Sequence, residues 1–312
     1  MMQLRYDENF IEAAVFLCAS GRRKGVPALQ IARFHRERER LYSILDPDER
    51  NAAFFKLHLD WFREWGLEHP LTNVLNEVPL VRQQLGVLAI RRTTSRNDEG
   101  AELYVNEAGL RTGLLALRLG RLTEDDALRN YLRHEFTHLH DMLNPAFGYA
   151  PELDLPGLNA AQKRLARERY RLLWDITIDG RLAAAGHPPM GPREQHADAF
   201  ARSYSFWDKP RQSTTFEALW KNASPHHGEF LALIADPRGL RDAHQPAPGA
   251  SCPLCAFPTF DWADPAALTK SITVRIKAEF PDWQPEQGLC GRCRETYEAA
   301  RRAETDIQAE LG

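Results

Sequence analysis

No run in this sequence approaches the roughly 18–20 consecutive apolar residues that a bilayer-crossing helix needs, so no membrane partner is expected. The first residues, MMQLRYDENFIEAAVFLCAS, also lack the basic start of a secretory signal. Asp7 and Glu8 precede the short apolar run and Glu12 interrupts it. Charge of one sign is missing as well. A net charge of -3 gives no general reason to expect nucleic acid or an anionic membrane surface. Cysteine is scarce, at 5 in 312 residues, and four of the five stand as two C-x-x-C pairs near the C-terminus, with Cys18 alone. That is a metal-binding arrangement for a reducing compartment more than a secreted disulfide framework, and a cytoplasmic protein is expected. There is no internal repeat. What remains is ordinary globular composition, 43% hydrophobic and 27% charged, on a chain longer than one typical domain.

The periodicities divide the chain. Residues 1–80 read as mainly helical: RFHRERERLYSIL and ERNAAFFKLHLDWFREWGL carry apolar residues at three- and four-residue steps. The alternating charges of HRERER read as a solvated helix face. Between 85 and 119 the texture changes to short β-rich runs, LGVLAIRRT, AELYVN and TGLLALRL, separated by turn-like SRNDEG and EAGLR. We expect a meander, or a hairpin plus a third strand. A helix follows over about 124–143, with Thr123-x-x-Asp126 resembling a capping box and Pro145 beyond its end. A loop-rich stretch leads to the long helical pattern AAQKRLARERYRLLWDITIDGRLAAAG, stopped at Gly186, and another helix starts near 193 with REQHADAFARSYSFW. Residues 241–251 have linker composition. The fold class expected is α+β, mostly α: a domain over 1–245 with a small sheet, and a small four-cysteine domain over 246–312.

The helix at 124–143 contains LRHEFTHLHDML, a His-Glu-x-x-His run formed by His134, Glu135 and His138. Histidines four apart lie one above the other on a helix, so both imidazoles can reach one ion. The adjacent glutamate can then take a proton from water activated by the metal. Leu128, Leu132, Phe136, Leu139 and Leu143 make an apolar stripe on the same helix. By the step of roughly 100° per residue, His134 and His138 point about 120–160° from its centre, so they are not simply core histidines, and two surface histidines are the alternative to a metal pair.

These residues resemble the zincin metallopeptidases, over roughly residues 85–200. The resemblance implies that His134 and His138 bind a catalytic zinc, that Glu135 is the general base, and that a strand before the helix lies along the substrate cleft. TGLLALRL fits that order. The metzincin branch would require Gly at 141 and His at 144, where this chain has Asp141 and Asn144. The gluzincin branch takes its third ligand from a second helix bearing an acid, followed four residues later by an aspartate behind the ligands. Asp175 and Asp179 in LLWDITIDGRL have that spacing, with Asp in place of the usual Glu, so which of the two would touch the metal stays open. Glu194 and Asp198 in REQHADAFARSY match more literally but also suit a surface salt-bridge helix, so Glu194 is the second choice. Asp141 shares the histidine face and can orient an imidazole or simply end the helix. For an oxyanion stabiliser the sequence offers Tyr149 and Tyr204 without deciding between them.

In the tail, Cys252, Cys255, Cys290 and Cys293 form C-x2-C-x34-C-x2-C, four thiolates suited to one tetrahedral ion. A structural zinc in a ribbon-like domain is the expectation, with a rubredoxin-like iron site or redox dithiols as the alternatives. So short a domain cannot build much core, and metal would supply folding energy. From 246 to 312 seven lysines and arginines face ten aspartates and glutamates, which argues against phosphate binding. Trp262, Trp283, Phe257 and Phe260 read as its core. The expected function is a Zn2+-dependent peptidase, with one catalytic and one structural zinc, acting on a peptide or protein substrate. Its ribbon would be structural or bind a protein partner. The alternatives are a non-catalytic adaptor and a nucleic-acid-associated factor acting through the ribbon.

Overall fold

The β-rich runs between 85 and 119 become neighbours in one sheet of the computed structural model. β2 (Val87–Arg92) and β4 (Arg111–Leu117) are parallel, and β3 (Gly100–Val105) pairs antiparallel with β4 on its other side. The hairpin expected from the sequence is therefore β3–β4, inserted so that the sheet order is β1-β2-β4-β3. The fourth strand, β1 (Gln3–Tyr6), lies parallel to β2 in a segment expected to be helical. Four residues carry too little alternation to announce a strand, and β1 forms because β2 offers a ladder to join.

The structure describes residues 2–153, 155, 158, 160–235, 237, 250–259, 261–263 and 268–310, except the side chains of 286 and 301–310. Most of the linker-like stretch at 241–251, the boundary expected at 245/246 and Phe260 lie outside them. The fold is α+β and mostly helical, and among the described residues no helix is long and apolar enough to cross a membrane. The chain divides into two compact units. One comprises Met1–Pro151, Leu172–Ser203 and Lys209–Glu229; the other comprises Glu152–Arg171, Tyr204–Asp208 and Phe230–Gly312.

In the first unit, α1 (Glu8–Ala19), α2 (Ala28–Leu41), α3 (Pro47–Glu64), α4 (His69–Glu77) and α5 (Pro79–Gln84) supply the helical N-terminal part. Asp7 and Asp46 accept hydrogen bonds at the starts of α1 and α3 from Phe10 N–H and Glu49 N–H, satisfying donors that helix ends leave unpaired. Phe10, Phe34, Trp61, Phe62 and Leu71 form the apolar core with Leu88, Ile90 and Leu115 of the sheet.

Onto this core packs α6 (Asp125–Leu143), which carries His134, Glu135 and His138. Its expected stripe is buried: Leu128, Leu132, Phe136 and Leu139 are fully enclosed and Leu143 nearly so. The start differs from expectation. Glu124 takes the cap position with no side-chain bond, and Thr123 Oγ1 donates instead to the Gly120 carbonyl within a 3-10 turn over Leu119–Thr123. That local turn satisfies the hydroxyl before the helix can use it.

Helix α7 (Ala160–Ala184) carries Asp175 and Asp179, and α8 (Arg193–Ser203) and α9 (Lys209–Trp220) follow. Gly180, mid-helix and one residue past Asp179, is explained by a close approach. A Cβ there would stand 2.0 Å from the Trp220 carbonyl oxygen at the end of α9. The second unit includes α10 (His227–Ala235) from Phe230 onward, α11 (Lys270–Glu279) and α12 (Gly291–Glu310).

Candidate metal centres

The histidines of α6 face α7, and the side chains between them are polar. His138 Nε2 lies 3.1 Å from Asp175 Oδ1, and His134 Nε2 lies 3.5 Å from the same oxygen. Ligands about 2.0–2.1 Å from a tetrahedral ion stand roughly 3.3 Å apart, so both histidine–Asp175 separations suit ligands of one ion. His134, His138 and Asp175 thus form a group that can hold a metal ion. Asp179, one turn further along α7, plays a different part. Its Oδ1 meets His134 Nδ1 at 2.8 Å, on the ring side away from the first nitrogen. Its Oδ2 accepts from Gly191 N–H at 3.0 Å and from His196 Nε2 at 2.7 Å.

Exposure separates the two aspartates. The Asp175 side chain is 27% exposed and that of Asp179 is 0%. Buried carboxylates need donors or cations to offset lost hydration. Burial raises both pKa values, yet the histidine bonds hold each well below the usual carboxylate range. Burial likewise disfavours the His134 imidazolium, but the bonds from Asp175 and Asp179 outweigh it and push His134 up to about 10. Asp175 contacts both imidazoles and Asp179 contacts that of His134, with Glu135 buried on the same helix as the histidines. Two imidazoles and the Asp175 carboxylate are a nitrogen and oxygen donor set that fits a divalent ion.

Glu135 points to the sheet edge. Its Oε2 accepts from Ala101 N–H on β3 at 2.8 Å. The sequence placed β4 beside the cleft; however, β4 is hydrogen-bonded on both sides, by β2 and β3. The edge strand next to Glu135 is β3. Because the Ala101 N–H turns away from β4, the antiparallel alternation also directs the Leu103 backbone groups to the open edge.

Asp141 does not touch either histidine of the motif. It is 2% exposed and accepts a fork from Arg181 Nη1 and Nη2 at 2.9 and 2.6 Å and a third bond from Trp174 Nε1 at 2.8 Å, with His140 Nδ1 at 3.4 Å. Burial works against this charge, but the His140, Arg181 and Trp174 bonds lower its pKa to about 2. The Trp174 ring that Asp141 anchors meets His138 edge-on at 4.5 Å and stacks on Phe147 at 5.1 Å. Tyr149 stands half-buried at 5.8 Å from Trp174, its pKa raised by burial and by Glu102. Tyr204 belongs to the second unit.

Glu194 and Asp198 are exposed on α8 and stand outside the histidine group, while His196 and Phe200, one turn apart, make its inner face. In the sequence the acids of that helix stand out and His196 does not. The signal available was the pairing of His196 with an apolar residue at i+4. Gly191 and Ala101 act through backbone N–H groups, which leave no mark in the sequence, and Trp174 and Arg181 reach Asp141 with side chains from 33 and 40 residues away, a pairing that only the fold makes.

In the second unit the four cysteines converge. Cys252 Sγ lies 3.9 Å from Cys293 Sγ, and Cys255 Sγ lies 3.8 Å from Cys290 Sγ. Sulfurs about 2.3 Å from a tetrahedral ion are separated by about 3.8 Å, whereas a disulfide needs about 2.05 Å. All four can serve one metal ion. Cys290 N–H and Cys293 N–H point to Cys252 Sγ and Cys290 Sγ, both at 3.4 Å, while burial pushes the Cys290 and Cys293 thiols up. Burial opposes the Cys252 thiolate, but such N–H bonds lower its pKa to about 7. The hooks are joined through α11, capped by Thr269, whose Ile272 and Ile276 pack with Trp283, Leu289 and Tyr297. Trp283 is a core residue as expected; Phe257 is not, at 68% exposed, and Trp262 is half-buried.

No protein-family model matches the chain, and neither a curated protein nor a solved structure matches it.

Proposed function

We propose that the first unit is a zinc-dependent peptidase of zincin type, with His134, His138 and Asp175 as the protein ligands and Glu135 as general base. The observation that carries this reading is the convergence of His134 Nε2, His138 Nε2 and Asp175 Oδ1 beside a glutamate facing a free sheet edge. Three protein ligands with an open fourth position are the pattern of catalytic rather than structural zinc, and the exposure of Asp175 leaves such a side. The sequence left the choice between the aspartates open. The geometry favours Asp175, because both oxygens of Asp179 are already engaged by His134, Gly191 and His196.

A zinc ion held there would supply Lewis acidity, lowering the pKa of water and polarising a peptide carbonyl. The chain's own residues do the rest. Ala101 N–H fixes one oxygen of Glu135, leaving Oε1 to take the proton from the attacking water and return it to the departing amine. An extended peptide can pair with the edge of β3 through Ala101 C=O and the Leu103 backbone, which places its carbonyl beside Glu135. Trp174 meets the His138 ring edge-on and is itself backed by Phe147, which holds that side of the site apolar. The four-cysteine cluster is read as a structural zinc site in a ribbon-like unit, with a protein-binding role.

Elemental analysis of the full-length protein and of His138→Ala tests the reading. Two zincs falling to one, together with peptide hydrolysis lost in Glu135→Gln, is the expected result. Equal zinc in both proteins would sink the peptidase reading and leave the adaptor role of the cysteine unit in the lead.

A further inference from the structure

The buried carboxylate of Asp179 is clamped from three sides, and one of the clamps is a histidine outside the motif. Oδ1 is used by His134 Nδ1, while Oδ2 receives Gly191 N–H at 3.0 Å and His196 Nε2 at 2.7 Å. The side chain of Asp179 is 0% exposed, so these donors alone offset its lost hydration. The local sequence builds the clamp. The loop before α8 brings in Gly191, where a Cβ would stand 3.1 Å from His196 Nε2 and crowd the same corner. Phe200, one turn beyond His196 and 1% exposed, anchors the helix face that aims the imidazole inward.

Resting on the metal-centre reading of His134, we propose that His196 is a positioning residue of that centre, acting through Asp179. The two nitrogens of an imidazole are coupled: when Nδ1 gives its proton to a fixed acceptor, the Nε2 lone pair is free and correctly aimed for a metal. Asp179 is that acceptor for His134. His196 holds the far oxygen, so the carboxylate plane cannot turn away from the Nδ1–H. The chain of contacts is His196 to Asp179 to His134, with Nε2 of His134 beside Asp175 and His138. Removing the His196 donor leaves Oδ2 with Gly191 N–H alone and loosens the acceptor on which the ligand geometry depends.

Zinc retention against a graded chelator tests this on full-length wild type, His196→Ala and His196→Gln, with His138→Ala identifying which zinc belongs to the α6 centre. The glutamine amide nitrogen reaches about as far as the imidazole Nε2 and restores a donor to Oδ2. We expect His196→Ala to weaken zinc binding at this centre roughly 10–100-fold, and His196→Gln to recover most of that loss. Melting of the zinc-free proteins separates a merely structural contribution, which would shift stability without this order in zinc affinity. Wild-type retention in His196→Ala, or a glutamine variant as defective as the alanine one, would overturn the inference. A wild type holding no more zinc than His138→Ala would overturn the metal-centre reading itself, and this inference with it.

Discussion

Replacing Asp141 by asparagine removes one buried charge from a network of hydrogen bonds without changing its volume. The aspartate stands 2% exposed among the Arg181 fork, at 2.9 and 2.6 Å, and the Trp174 indole N–H at 2.8 Å. Burial raises its pKa, but the bonds from His140, Arg181 and Trp174 lower it from 3.8 to about 2 in the folded protein. The folded value lies below the unfolded one, so the stabilisation is fully present above about pH 5. It is lost progressively as the pH falls through about 2. A difference of nearly two units corresponds to about 2 kcal/mol. With a urea slope of about 2–3 kcal/mol per molar, the Asp141→Asn midpoint at pH 7 should fall by about 1 M. The gap between wild type and variant should then close as both are measured from pH 5 down to pH 2, while other carboxylates lower both midpoints together. Arg181→Met and the double variant complete a cycle, for which we expect a coupling of at least about 1.5 kcal/mol at pH 7. A coupling below about 0.5 kcal/mol, or a gap that stays constant with pH, would refute the assignment of Asp141 as a charged anchor.

Two further substitutions probe the packing around the centres. Gly180→Ala should destabilise by about 1–3 kcal/mol although alanine is the better helix former, because the added Cβ meets the Trp220 carbonyl oxygen at 2.0 Å and its carbon at 2.8 Å; an unchanged or raised melting temperature would contradict that contact. Cys290→Ser should release one metal ion and expose the tail to proteolysis, since its core among the described residues consists of eight buried residues, two of them cysteines of the cluster. A protease-resistant tail in that variant would show that metal is not needed to hold it.

Sequence alone determined what lies within one element. Two histidines and a glutamate on α6, two aspartates one turn apart on α7, the apolar stripe of α6 and the two cysteine hooks all follow from spacings of four residues or fewer, which a helix or a tight turn converts directly into geometry. Tertiary structure decided how those elements meet. His134 and Asp179 are 45 residues apart and His138 and Asp175 are 37 apart, and the rotation of α7 against α6 settled which aspartate faces which imidazole nitrogen. The same holds for β3 rather than β4 at the sheet edge beside Glu135, for β1 joining β2, and for His196 turning inward while Glu194 and Asp198 face solvent. Periodicity records which face of an element is apolar; it does not record which neighbour that face will find, because that choice is made by the packing of the whole core.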